Sequence, residues 1–485
     1  MFLHSSFSSK LVLLFALGVV PGIARAQPPS PPEPAPAAPG TAAAAAPTAA
    51  PSFEDRINRE LGVPGGLTAD EVAARAAATS WTLEARRAER RAASADADRA
   101  LTAYIPRVTL TARYTRLSEV DAFEIAPGVV LPQYLDRYLL QAGVIVPVSD
   151  YFLRVAPRRR GSVLFERAAE HSVAAAQLQT VADAKILYYA WVRERLNVVV
   201  AEQAVEQARA QRGDIEQALA AGTASQADLL GVDARLAENE RALDGFRHRA
   251  AELEEELRIA RHDPEGTRYV VGESVPIEAH PADAREDPRA LSAYALAHRP
   301  ELAAAGLRAD AASTNTDVER AGYLPQLELF GNYLYENPSS REFIARDEFK
   351  GSWNAGAQLT WVVSDLPGAA AATRSAEATA AAARAEQKEL EDRVRRELSA
   401  ALRALNDARA AVRTSARGLA AAEEAYRVRR LLFQNGRATT VELLDAELAL
   451  TEARLISVGT RLELRIARVR LDYALGRRSS GPAAG

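Results

Sequence analysis

Two kinds of hydrophobic pattern divide this chain, and they occur in the same order twice. The first is strict alternation. Trp353, Ala355, Ala357, Leu359 and Trp361 alternate with Ser352, Asn354, Gly356, Gln358 and Thr360, and Tyr138, Leu140, Ala142, Val144 and Val146 keep the equivalent phase. Val108, Leu110, Ala112 and Tyr114 alternate with Arg107, Thr109, Thr111, Arg113 and Thr115. Leu327, Leu329, Gly331, Tyr333 and Tyr335 alternate with Gln326, Glu328, Phe330, Asn332 and Leu334. A period of two predicts β-strands with one apolar and one largely polar face. They fall at about residues 106–118, 137–148, 325–336 and 351–363.

The second pattern is helical and very long. Val394, Leu398, Ala401, Leu405, Ala408 and Val412 step by four and three, which buries one helix face. Proline is absent from Arg158 to Asp263 and again from Gly368 to Arg478. A helix from Ala369 to Gln434 would be roughly 100 Å long, the scale of a coiled coil or helical repeat. Shorter opening helices are expected at about residues 67–103 and 289–321, the second interrupted near Pro300. Gly231, Gly245, Gly418 and Gly459 are expected to mark kinks or helix ends.

The two halves share more than pattern. Tyr104-Ile105-Pro106 parallels Tyr323-Leu324-Pro325, Val148-Ser149-Asp150 parallels Val363-Ser364-Asp365, and the Gly222 to Leu230 segment parallels Gly436 to Leu444. The matches recur at roughly 215 to 220 residues, which indicates an internal duplication. Residues 53–288 form the first structural repeat and 289–476 the second, with hairpin turns at about 222–225 and 436–439. The predicted fold class is therefore mainly α with a small antiparallel β part: helix, two strands and a long helical hairpin, twice over.

Before the repeats, Lys10, the apolar run from Leu11 to Val20 and Ala24-Arg25-Ala26 read as a secretory signal over 1–26, cleaved before Gln27. Residues 27–52 form a Pro/Ala-rich tether, and 477–485 a disordered tail. Export changes the reading of the strands. Four strands in matched phase, bracketed by Tyr138, Trp353 and Trp361 as interface aromatics, look like barrel strands facing lipid. The opposite face, with Arg107, Thr109, Arg113, Glu328 and Asn332, would line a lumen. Four strands cannot close a barrel, and an open sheet edge is not tolerated in lipid. Copies of the chain must share one barrel; two would give a tight eight-stranded barrel, three a twelve-stranded one with room for a pore.

Composition narrows the chemistry. With 60 Lys+Arg against 64 Asp+Glu the net charge is -4, which argues against a nucleic-acid binder. The absence of Cys excludes disulfides, thiolate sites and cysteine-linked lipid. The 6 His are scattered, and no hydrolase elbow, phosphate loop or zinc motif is present, so no enzyme, cofactor or metal site is expected. Apolar content of 48% with only 6% aromatics reflects Ala-rich helices suited to close approach. Arg212-Gly213-Asp214 in a helical context reads as a chance tripeptide.

At the second turn, Thr439-Thr440-Val441-Glu442 reads as a capping box, as does Ser225-Gln226-Ala227-Asp228 at the first. Asp445 lies on the face of Glu442 one helical turn later and is not explained by the cap.

The duplication, Leu324-Pro325-Gln326-Leu327, His298-Arg299-Pro300-Glu301-Leu302, the two glycine turns each followed by an acid-Leu-Leu pattern, and Ala474-Leu475-Gly476 together resemble the TolC family of outer-membrane efflux proteins, from Phe53 to Gly476. That resemblance implies a homotrimer whose twelve-stranded barrel sits in the outer-membrane lipid above an α-helical barrel in the periplasm. It implies a periplasmic adaptor and an inner-membrane RND or ABC transporter as partners, and an unlipidated member of the family. It places Asp445 and Glu442 at the periplasmic entrance, where like-charge crowding is expected to raise their pKa values. It makes Gly222, Thr223, Ser225, Gly436, Arg437 and Thr439 the turns that meet the adaptor. The resulting expectation is a passive channel-tunnel of an efflux or type I secretion system. The alternative is a periplasmic coiled-coil scaffold without a pore.

Overall fold

A computed structural model describes residues 52–119, 124–130, 133–274 and 287–477. The signal segment, the tether up to residue 51 and the tail from residue 478 lie outside the described residues.

Four helices begin with reciprocal capping boxes, in which the N-cap hydroxyl accepts from the N3 backbone N–H and the N3 carboxylate accepts from the N-cap N–H. They are α1 (Phe53–Glu60, capped by Ser52), α2 (Ala69–Thr79, capped by Thr68), α6 (Gln226–Arg261, capped by Ser225) and α10 (Thr440–Leu475, capped by Thr439). The opening helix expected at 67–103 is two: Ser80 ends α2 and caps α3 (Trp81–Thr102) by accepting from Leu83 N. Extended backbone at Ser80 and its short hydroxyl favour a cap over helix continuation.

The strands follow as β1 (Arg107–Arg116), a small hairpin of β2 (Glu124–Ala126) and β3 (Val129–Val130), and β4 (Asp136–Val146). A single helical turn, α4 (Val148–Asp150), and a π-helical turn at Tyr151–Val155 lead into α5 (Ala156–Ala220). After α6 the pattern repeats: α7 (Pro288–His298), α8 (Pro300–Arg320), β5 (Gln326–Asn337), β6 (Lys350–Thr360), α9 (Leu366–Gln434) and then α10. The break between α7 and α8 falls at Arg299, immediately before Pro300, because proline forbids the helical hydrogen bond there.

With 69 residues, α9 is roughly 100 Å long. Its buried residues include the whole predicted stripe, Val394 to Val412. The helices α6, α9 and α10 run unbroken through Gly231, Gly245, Gly418 and Gly459, contrary to the expected kinks. At Gly231, Gly418 and Gly459 an added Cβ would meet open space, so these glycines lower helix propensity without redirecting the chain.

The main core gathers where α1 and α2 wrap the middle of α5. Tyr188, Trp191, Val192 and Leu196 are buried there with Phe53, Ile57, Val72, Tyr269, and Leu450, Val458 and Leu462 of α10. Tyr188 donates to Leu67 O at 2.7 Å, and Lys185 pairs with Asp70 across the same contact. A second cluster joins α7 and α8 to α9 and the end of α10 through Leu291, Ala295, Leu302, Leu398 and Leu475.

Candidate functional site

The four long strands form one antiparallel sheet in the order β1-β4-β5-β6. Its register carries the apolar positions across every strand. Val108 faces Val144, Leu110 faces Ala142, and Tyr114 faces Tyr138; Ala142 in turn faces Tyr333, and Tyr333 faces Trp353. The result is a continuous apolar face exposed in the single chain, with Trp353 71% exposed and Leu110, Leu140, Leu329, Leu359 and Trp361 also exposed. A soluble domain rarely leaves so large an apolar sheet face uncovered.

Aromatics cluster near one end of this face. Tyr114 and Tyr138 lie 5.2 Å apart, Tyr138 and Phe349 5.9 Å, and Phe349 stacks on Tyr335 at 5.2 Å. Trp361 stands at the other end, just past β6. The sequence expectation names Tyr138, Trp353 and Trp361 but omits Phe349, which keeps the phase of Trp353 yet lies one residue before β6. Immediately beyond the aromatic cluster the residues become charged: Arg116 pairs with Asp136 at 2.6 Å, and Lys350 with Glu348 at 2.8 Å. An apolar band closed by aromatics and then by charges is the profile of a membrane-spanning sheet.

The other face is polar and internally hydrogen-bonded. Thr109, Gly143, Asn332 and Asn354 occupy one row. Gln141 donates to Asn332 Oδ1 at 3.0 Å, and Asn332 donates to Asn354 Oδ1 at 3.0 Å. Arg107, Arg113 and Glu328 share this face, as the alternation requires. Phe330 is on it too, lying over Gly356, where a Cβ would come within 2.9 Å of the ring. The strands β1 and β6 are the two free edges of the sheet.

At the far end of the helices the duplicated turns adopt one geometry. Gly222 and Gly436 have φ of 75° and 67°, the left-handed region that glycine reaches without strain. In each, the N–H following the glycine reaches back five residues along the chain: Thr223 N donates to Ala218 O, and Arg437 N to Leu432 O, both at 2.8 Å. Gly222, Thr223, Ser225, Gly436, Arg437 and Thr439 are all exposed.

Glu442 is fully engaged in its cap. Its carboxylate accepts from Thr439 N at 3.0 Å and from Arg429 Nη1 at 3.0 Å, across the hairpin. Within the single chain, the Thr439 backbone N–H and the Arg429 guanidinium hold its carboxyl below the usual carboxylate range. Asp445 is exposed on the next turn. Asp228, at the equivalent place in the first hairpin, is likewise held low by Ser225, with help from the Thr440 hydroxyl of the second hairpin.

One acid that sequence reasoning missed lies two residues beyond Asp445. Glu447 is buried in the seam of α10, and burial pushes its carboxyl up to about 7. Its signal was present in the sequence: Leu443, Glu447, Leu450 and Arg454 follow the same four-and-three spacing as the buried stripe of α9.

A sheet with one exposed apolar face and an amide-lined reverse face is thus carried on long helical hairpins, and known proteins share this fold. Residues 291–477 match the family model described as "Outer membrane efflux protein". Among solved structures the outer-membrane channel OprN is similar at a TM-score of 0.72 and 22% identity, covering 87% of this chain and 91% of that one. The Campylobacter jejuni CmeC outer membrane channel gives a TM-score of 0.68 at 15% identity, with 88% of each chain covered. The Neisseria gonorrhoeae MtrE outer membrane channel, solved in its open state, gives 0.69 at 17%, covering 84% of this chain and 89% of that one. No curated protein sequence matches significantly. Residues 291–477 thus match the outer membrane efflux protein model, and the chain shares the fold of these outer-membrane channels.

Proposed function

We propose that the protein is the outer-membrane channel of an efflux or secretion system, a homotrimer that passively conducts substrates handed to it in the periplasm. The observation that carries this reading is the sheet: an exposed apolar face, a polar reverse face, and two unpaired edges in one molecule. Unpaired strand edges in lipid leave several backbone groups without hydrogen bonds, each costing several kcal/mol, so β6 of one copy must pair with β1 of the next. The strands alternate in direction, so that pairing is antiparallel and continues the sheet around a closed ring. Three copies give twelve strands and an open lumen lined by Arg107, Thr109, Arg113, Glu328 and Asn332.

The exposed glycine turns are the surface offered to a periplasmic adaptor, which would link the channel to an RND or ABC transporter of the inner membrane. Threefold symmetry would bring Asp445 and Glu442 of each copy toward the axis at the periplasmic entrance, where they would attract cations. Gating would consist of the hairpin ends moving apart while the barrel stays fixed. The full chain, purified and reconstituted in planar bilayers, is expected to produce discrete conductance steps and to fractionate with the outer membrane. A soluble monomer with no conductance would instead support the coiled-coil scaffold.

A further inference from the structure

Glu447 lies two turns from the start of α10, in the second hairpin. It is 1% exposed, and neither carboxylate oxygen has a hydrogen-bond partner in the protein. The buried positions of α10 run Leu443, Glu447, Leu450, Arg454, Val458 and Arg461, so the carboxyl occupies the packing seam against α9, α5 and α6.

The charged and titratable groups around it come from each of those elements. Arg235 of α6 and Arg454 of α10 act on it directly, and Tyr426 of α9 feels its charge. Arg430 of α9 and Asp214 of α5 act on Tyr426, while Glu423 of α9 and Arg56 of α1 act on Arg454. None of the cations is joined to Glu447. Arg235 pairs with Glu238 at 2.7 Å, and Arg454 lies 5.1 Å from the Phe53 ring with its Nε buried and unpartnered. An ionised carboxylate without a hydrogen bond is strongly disfavoured at such a site, whereas the neutral acid is tolerated.

We propose that Glu447 is a proton-operated latch: the neutral acid lets α10 seat in its seam against α5, α6 and α9, and ionisation loosens that end of the second hairpin. Its use as a gate rests on the channel reading above; its effect on packing does not. The sign follows from linkage. The seated state holds the proton up to about pH 7, while a loosened, hydrated state releases it near the ordinary value of 4.5. Seating is therefore strongest below pH 4.5, weakens as pH rises between 4.5 and 7, and is constant above that. Acidification tightens the hairpin and neutrality frees it.

Hydrogen exchange on the detergent-purified full chain tests this, with wild type, Glu447→Gln and Glu447→Leu compared at the same pH between 4.5 and 8. Gln mimics the neutral acid, and Leu removes the titrating group by an independent route. Exchange at the start of α10 in wild type should match Glu447→Gln at pH 4.5. It should then become faster than the variant by up to about tenfold per pH unit, levelling near pH 7. Both variants should stay flat relative to each other. A wild-type to Gln ratio independent of pH overturns the latch. Bilayer conductance separates the two readings: a pH-dependent ratio in a non-conducting protein removes the channel and keeps the latch, while a conducting protein with a flat ratio does the reverse.

Discussion

Arg299 donates from Nη1 to the backbone carbonyl of Tyr473 at 3.0 Å while its guanidinium lies 4.6 Å from the Tyr473 ring. This one side chain ties the His298 to Leu302 segment to the residue just before Ala474-Leu475-Gly476, two of the sequence pieces that carry the family resemblance. Arg299 is buried and also pairs with Glu301 and, at 2.9 Å, with Glu397 of α9. Gly476 completes the joint: its φ is 70°, and a Cβ there would stand 3.0 Å from His298 O.

Removing the guanidinium strands two carboxylates and a carbonyl. Arg299→Ala should lower stability by about 3 kcal/mol, the lower part of the range for a broken buried pair because both acids are partly solvated. Arg299→Lys should recover only part of the loss, since an ammonium cannot make the stacked and forked contacts together. Chemical denaturation monitored by circular dichroism reads both.

The two faces of the sheet should respond oppositely to charge. Ala355→Arg places a cation on the apolar face and should cost about 2–4 kcal/mol of folding stability in lipid. Gln358→Arg, three residues on and facing the other way, should cost about 1 kcal/mol or less. Urea unfolding in phospholipid vesicles compares them; equal costs would contradict the assignment of lipid and lumen faces.

Asp445 and Glu442 should separate in function. Asp445→Ala is expected to raise single-channel conductance or weaken block by multivalent cations, because its carboxylate is exposed and uncommitted to the cap. Glu442→Ala should instead fray the start of α10, because the cap loses its reciprocal partner. Unchanged conductance and block in Asp445→Ala would remove it from the entrance.

Acid should act on Glu442 in the sense opposite to Glu447. Its carboxyl is held below the ordinary value of 4.5 by Thr439 and Arg429, so its contribution is present above pH 4.5 and lost as pH falls below that. Exchange at residues 437–442 should therefore accelerate below pH 4.5 in wild type and lose that acid-dependent step in Glu442→Gln.

Most of this architecture was legible because its periods are simple. Alternation around Trp353 and Asn354 fixed both strand type and facing, and the Val394 to Val412 stripe fixed the buried side of α9. The break at Ser80 was missed because the helical pattern continues on both sides, and only the hydroxyl at the cap distinguishes the position. The four interior glycines misled because at Gly231, Gly418 and Gly459 nothing packs where a side chain would be, and at Gly245 only the Arg249 guanidinium comes near, so the helix absorbs the propensity cost. At the hairpin, Asp445 stands out in the sequence as an acid the cap does not explain, whereas Glu447 does not. That residue is notable for occupying an apolar position in the seam, a property of the pattern rather than of the residue alone.

The claim on which the rest depends is that β6 of one copy closes onto β1 of the next to form a three-chain barrel. Native mass spectrometry of the protein extracted intact from outer membranes measures this directly. The account predicts a single assembly of three chains that survives detergent exchange; a monomer, or a dimer of two four-stranded sheets, would contradict it.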